Sequence, residues 1–321
     1  MAVIKLENGA TIRTFPPPPE GFDPLTAPAA ELALHGFPAR PEDPALLERY
    51  GRHFGRVKGR FRYVVPAFTV RPSMRNRSAG TPEGVAGQTI WSGAVVYAAS
   101  GQSFKWVQAE WIIPDAAIPA AGANSADYAC VSWIGLGNSS LLQAGAGCGF
   151  GTNGTANFFL WHEWTPPGWV TINNLAAGPG DLIAVVICTP SGAGSTSASI
   201  YFSNNTTGYS TSYEISFPQG ANDPASFLGD QAEWIVERPT LANVGAAQLP
   251  DYGQVFFTSA NAGLVSGGVI NAGTTGGKNG AINIVINGVT LSTGTVVSPT
   301  IVECQYAGPE PHGNQSGLIN T

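Results

Sequence analysis

Residues 231–239 read QAEWIVERP, and Glu233 stands in them where an apolar side chain is expected. Only 11% of the chain is charged, so a carboxylate in the middle of such a run needs a reason. A β-strand turns successive side chains to opposite faces. On that period Ala232, Trp234 and Val236 share one face, while Gln231, Glu233, Ile235 and Glu237 share the other. The tryptophan face reads as core packing. The glutamate face must then border water, a cleft or a partner.

From about residue 90 onward the chain repeats this texture. Runs such as GAVVYA (93–98), FKWVQAEWIIP (104–114), YACVSWIGLG (128–137), LLQAGAGCGF (141–150) and FFLWHEWTP (158–166) are separated by Gly, Asn, Pro and Ser. DLIAVVICTP (181–190), SASIYFSN (197–204), TSYEISF (211–217), GQVFFTSA (253–260), AINIVING (281–288) and TIVECQYA (300–307) continue it. No helical period intervenes and no fixed repeat emerges. The expected fold is all-β, an antiparallel two-sheet sandwich of the jelly-roll or concanavalin-like kind.

The first 80 residues differ in kind. FPPPPEGFDPL (15–25) opens with a polyproline stretch that cannot enter a helix or a central strand. LTAPAAELALHGF (25–37) and EDPALLERYGRHFGRV (42–57) read as short helices, the second with Asp43 as cap and Pro44 in its first position. VRPSMRNRSAGTPEGVAG (70–87) reads as a linker open to proteolysis. The expected organisation is a Pro-rich, partly helical segment over 1–87, a sandwich over 88–307 and a loose polar tail over 308–321.

Charge divides at the same place. Residues 1–80 carry 12 Lys/Arg and 7 Asp/Glu, a formal +5, and residues 81–321 carry 3 and 14, a formal −11. Opposite fields hold such a segment on its domain. The acidic part would repel nucleic acid, so none is expected as a partner.

Several kinds of chemistry are absent from the sequence. It has no Gly-rich phosphate loop, no HExxH and no GxSxG. Cys130, Cys148, Cys188 and Cys304 are too dispersed for a metal knuckle, and no metal site is expected. Cys130 and Cys148 lie on neighbouring strands, where they either pair in an oxidising compartment or stay as buried thiols. His162 is the one imidazole placed to serve as a base in the strand-rich part, and it reads as a packed or surface residue. No apolar run reaches the roughly 18–20 residues of a membrane helix, and MAVIKLENGATIRTFPPPPEG (1–21) lacks the apolar core of a secretory signal.

Polar side chains in apolar strands remain. Gln143 in LLQAG, Glu163 in WHEW and Glu233 each lie opposite core-facing neighbours, and Glu110 in WVQAEWIIP is of the same type. With Trp133 and Trp161 they point to an aromatic-lined groove carrying a few polar groups.

The motifs WSGAVV (91–96), WVQAEWIIP (106–114), WIGLG (133–137), LLQAG (141–145), WHEWTP (161–166) and AEWIVERP (232–239) resemble the eqolisins, or glutamic peptidases, in order and spacing. The resemblance covers roughly residues 88–307. It implies a sandwich of curved sheets with a Gln/Glu catalytic pair, here Gln143 and Glu233, on a concave face. It further implies substrate contacts by Trp91, Trp133, Trp161 and Glu163, with polypeptides as substrates and no cofactor. A basic propeptide acting as an intramolecular inhibitor, and secretion, are implied too, although no ordinary signal precedes the segment. A monomer is expected. Two positions depart from the family pattern: Gly137 and Phe159 stand where Asp is usual. The readings set against a peptidase are a glycosidase using Glu163 and Glu233, and a lectin-like binding module.

Overall fold

Strand alternation sorts the chain into two antiparallel sheets around one core. The computed structural model describes residues 2–309, except 7–8, 43, 55–61, 72–73, 76–86, 89, 120–124, 139, 166–168, 217–226 and 242–244. The first sheet, here the cleft sheet, runs from edge to edge as Phe68–Arg71, Trp169–Ile172, Ala156–Trp164, Leu142–Phe150, Ala129–Leu136, Gln231–Glu237, Trp91–Tyr97 and Gly280–Ile286. The back sheet runs Val3–Lys5, Thr11–Thr14, Tyr209–Ser216, Ser197–Asn204, Leu182–Cys188, Phe104–Ile112, Gln254–Leu264 and Val269–Asn271. All of these pairs are antiparallel.

Residues of the expected inward faces fill the space between the sheets. Leu142, Ala144, Ala146 and Cys148 from one cleft-sheet strand meet Val107, Ala109, Trp111, Val185 and Phe202 from the back sheet. Trp234 lies in the same cluster, its indole N–H donating to Gln108 O at 3.0 Å. Cys130 and Cys148 face each other across two strands as free, buried thiols.

On one side the sheets run into each other. Gln254–Leu264 pairs with Ile301–Tyr306 through its first residues and with Phe104–Ile112 through its later ones. A register shift between Thr258 and Asn261, with Ser259 at φ 53°, re-aims the strand between the two pairings. Val289–Ser298 then links Ile301–Tyr306 to Gly280–Ile286.

The N-terminal residues join this scaffold. Thr11–Thr14 extends the back sheet along Tyr209–Ser216, and Phe68–Arg71 forms the outer strand of the cleft sheet beside Trp169–Ile172. Two helices, α1 (Ala29–Leu34) and α2 (Pro44–Phe54), lie where the sequence placed them. The proposed cap Asp43, most of the 70–87 linker and the tail from 310 lie outside the described residues.

Candidate active site

The cleft sheet has a second face, turned away from the back sheet, and there the period of two brings the polar residues together. Gln143 stands opposite Glu163 on one neighbouring strand and Gly135 on the other, and Gly135 stands opposite Glu233. Four strands therefore contribute one transverse row: Glu163, Gln143, Gly135, Glu233. Gln143 and Glu233 are two strand spacings apart, about 10 Å between backbones. Their side chains point into the space above Gly135.

That space exists because residue 135 is glycine. A Cβ there would lie 2.7 Å from the Trp133 ring and 3.2 Å from Glu233 Oε2. The next rows repeat the device. A Cβ at Gly145 would collide with the Ser132 carbonyl, and one at Gly147 would lie 2.5 Å from the Phe159 ring. Gly135 and Gly147 thus make room for the Trp133 and Phe159 rings, and Gly145 for the backbone of the neighbouring strand. Gly135→Ala is expected to fold with a loss of about 1–3 kcal/mol from overpacking. Turnover should fall further than that destabilisation explains, which urea unfolding and kcat measured on one preparation would separate.

Hydrogen bonds fix the orientation of the row. Gln143 Nε2 donates to Glu163 Oε2 at 2.9 Å, and Trp169 Nε1 donates to the same oxygen at 3.1 Å. The Gln143 amide is thereby turned with Oε1 unpartnered, and both carboxylate oxygens of Glu233 are unpartnered as well. Neither Gln143 nor Glu233 has any exposed surface. Burial pushes the Glu233 carboxyl well above the usual carboxylate range, and the neighbouring Asp230 adds to the effect.

Tryptophans wall the row. Trp133 donates its indole N–H to Glu237 Oε2 at 2.8 Å, and the Trp91 ring meets it edge-on at 5.2 Å. Trp161 stacks on Trp169 at 4.3 Å and 14°. Glu237 is buried, and burial raises its carboxyl, an effect offset in part by the Trp133 N–H.

The expected site residues Gln143, Glu233, Glu163, Trp133, Trp161 and Trp91 thus share one face of one sheet. Glu110 does not join them. It belongs to the Phe104–Ile112 strand of the back sheet, where alternation gives the same pattern on a different layer. His162 takes the opposite face of its strand, buried against Tyr213, whose hydroxyl lies 2.7 Å from Nδ1. Burial lowers its pKa to about 3. Two contributors were missed. Trp169 follows PPG and reads as loop, while Glu237 was placed on the correct face but given no role.

The two departures from the expected pattern have local causes. Gly137 has φ +85°, and a Cβ there would lie 2.8 Å from Ser140 O, so an Asp would be strained. Phe159 fills the space over Gly147 and lies 6.0 Å from Trp169.

The fold is shared with known proteins. Two solved structures of scytalido-glutamic peptidase each match 68% of this chain and 99% of their own. One, with a peptide-based transition-state analogue, is 23% identical at a TM-score of 0.53. The other, with a transition-state analogue inhibitor, is 24% identical at 0.55. These likenesses show the shared fold. No curated protein matches the sequence. The model of the peptidase A4 family matches residues 89–306, the strands of both sheets other than those the N-terminal residues add. The chain therefore belongs to the peptidase A4 family, the eqolisins, and is a glutamic endopeptidase.

Proposed function

We propose that Gln143 and Glu233 are the catalytic pair, that the enzyme works in acid, and that residues 1–87 hold it as a precursor. The observation that carries the first part is the row itself. A carboxylate and an amide converge over a glycine, with Glu233 Oε1 and Oε2 and Gln143 Oε1 all lacking protein partners. Buried polar atoms without partners are rare, and they collect where a substrate or water belongs.

Burial holds Glu233 protonated in the closed chain. Water entering the cleft relieves that desolvation, and the ionised carboxylate then takes a proton from a water held between the two side chains, which attacks the peptide carbonyl carbon. Gln143 spends one Nε2 hydrogen on Glu163, and the other donates to the developing oxyanion. Protonated Glu233 then passes its proton to the leaving nitrogen. Glu163 acts by fixing the amide. Trp91, Trp133 and Trp161 give the substrate apolar walls. Each of these steps belongs to a side chain of this protein.

For a glycosidase, Glu163 and Glu233 are poorly arranged. They lie three strand spacings apart, with Gln143 and Gly135 between them in the row. Glu163 is also committed to Gln143 and Trp169. A lectin-like module gives no account of the unpartnered pair.

Chain topology supports the precursor reading. Arg71 ends the strand at one edge of the cleft sheet, and Gly87–Gln88 pairs with Gly280–Ile286 at the other. Between them, Met74–Arg75 pairs with Thr240–Leu241, just beyond the Gln231–Glu237 strand. The two ends of the intervening chain are thus anchored at opposite edges of the cleft sheet.

The test is a pH series. Purified protein incubated with a denatured protein substrate from pH 7 to pH 3 should release peptides only in acid. Mass spectrometry should then find the enzyme's own new N-terminus between residues 70 and 87. Sugar release without peptides, or peptide release from an uncut chain, would sink the corresponding part.

A further inference from the structure

The contacts of residues 2–71 are those of a structural part rather than a removable cover. Thr11–Thr14 pairs with Tyr213–Ser216 in regular register, and Ile12 and Ala10 enter the core between the sheets. Arg62–Tyr63 runs parallel to Tyr209–Ser210 on the same edge, with Val64 N donating to Ser210 O and Thr211 Oγ1 to Val64 O, at 2.8 and 2.7 Å. The Tyr63 hydroxyl reaches Ser212 O at 3.0 Å.

A second apolar cluster lies outside the sandwich. Phe22, Leu32, Phe37, Tyr50 and Phe54 of the N-terminal residues bury themselves against Val186 and Tyr201 of the back sheet. The Phe37 and Phe54 rings lie 5.6 and 5.0 Å from Tyr201. On the far edge Phe68–Arg71 completes the cleft sheet, and Asn173 Nδ2 donates to Thr69 Oγ1 at 2.7 Å. The N-terminal residues therefore grip both sheets and one outer face.

We propose that residues 2–71 are a permanent partner of the sandwich, so that cutting the chain between 72 and 86 yields a two-chain enzyme and not a shortened one. The biological setting rests on the precursor reading above, but the attachment does not. Edge-strand pairing and apolar burial supply most of the hold, and neither titrates. The charged and titratable groups at these contacts include Arg13 with Glu214, paired at 2.9 Å, His35, Arg40, Arg62, Arg71, Asp23, Tyr50, Tyr63 and Tyr201, with Lys105 and Cys188 of the sandwich facing Arg40 and Tyr50. The Arg13–Glu214 ion pair across this contact is partly exposed, so acid removes little through it. The +5 and −11 totals steer the segment without being what holds it.

The experiment uses the full chain carrying Glu233→Gln, with the recognition sequence of a site-specific protease in place of residues 77–83. After cutting, a denaturing gel should show two pieces. Native gel filtration should show one particle, the size of the uncut chain and containing both pieces in equal amounts, at pH 7 and again at pH 4. Hydrogen exchange should leave the amides of Thr11–Thr14 and Tyr209–Ser216 as protected as before the cut. Separation of the pieces in native buffer, or loss of that protection, would overturn the proposal. Because the cut is made by an added protease in an inactivated chain, a failure here says nothing against Gln143 and Glu233. Equally, failure of the catalytic pair would leave this result standing.

Discussion

Glu233→Gln should fold as the parent does and lose at least a hundredfold in turnover on denatured protein, since general acid–base groups contribute ~10²–10⁴-fold. The substitution keeps the volume of the side chain and removes only its ability to carry a proton. Glu233 has no hydrogen-bond partner to lose, so no bond of the fold is broken. Gln143→Ala should cost about 2.7–4 kcal/mol of barrier through the missing oxyanion donor. It also strips Glu163 of one donor, so part of its loss should appear as a weaker KM. Measured on enzyme already cut in the linker, a Glu233→Gln protein with more than a hundredth of parental kcat would defeat the general-base assignment. Full activity in Gln143→Ala would separately defeat the oxyanion role.

The second large effect is on stability, and its direction is opposite to that of most carboxylates. Burial raises the folded-state pKa of Glu233 and of Glu237 above the unfolded carboxylate value of 4.5. Between the two values the folded chain holds protons that the unfolded chain has released. The contribution is therefore fully present below the unfolded value and is lost as pH rises through the folded one. The full-length protein should lose up to about 1.4 kcal/mol per pH unit for each such proton within that window. In Glu233→Gln the corresponding slope should disappear, leaving the variant more stable than the parent at pH 7 and equal to it near pH 4. Urea unfolding of both proteins across that range decides the matter, and superimposable curves would refute it. Through these two groups acid tightens the buried cleft. On the precursor reading proposed above, activation in acid comes from cutting the chain and not from these two groups.

Much of this site was legible from alternation alone. The period of two in QAEWIVE separated Glu233 from Trp234, and the same period separated Gln143 from Leu142 and Glu163 from His162. Register was not legible. That Gln143, Gly135 and Glu233 share a row depends on where each strand begins against its neighbour, which the turns decide far from the site. Layer was not legible either, as Glu110 shows, because a half-buried strand looks alike in either sheet. The short edge strands Thr11–Thr14, Arg62–Tyr63 and Phe68–Arg71 were missed for a simpler reason. Two to four residues carry too little periodic signal, and their stability comes from the neighbour they lie against.

Those short strands bear on solubility. Tyr209–Ser216 and Trp169–Ile172 would otherwise present a row of bare amide and carbonyl groups at the open side of the sandwich. Such rows recruit strands from other molecules, and they are a recognised starting point for aggregation. On the opposite side the sheets continue into each other through Gln254–Leu264 and Ile301–Tyr306. A recombinant sandwich begun at residue 88 would expose the open side entirely. Its yield of soluble monomer should be poor at any pH, and supplying residues 2–71 as a separate chain during refolding should restore it.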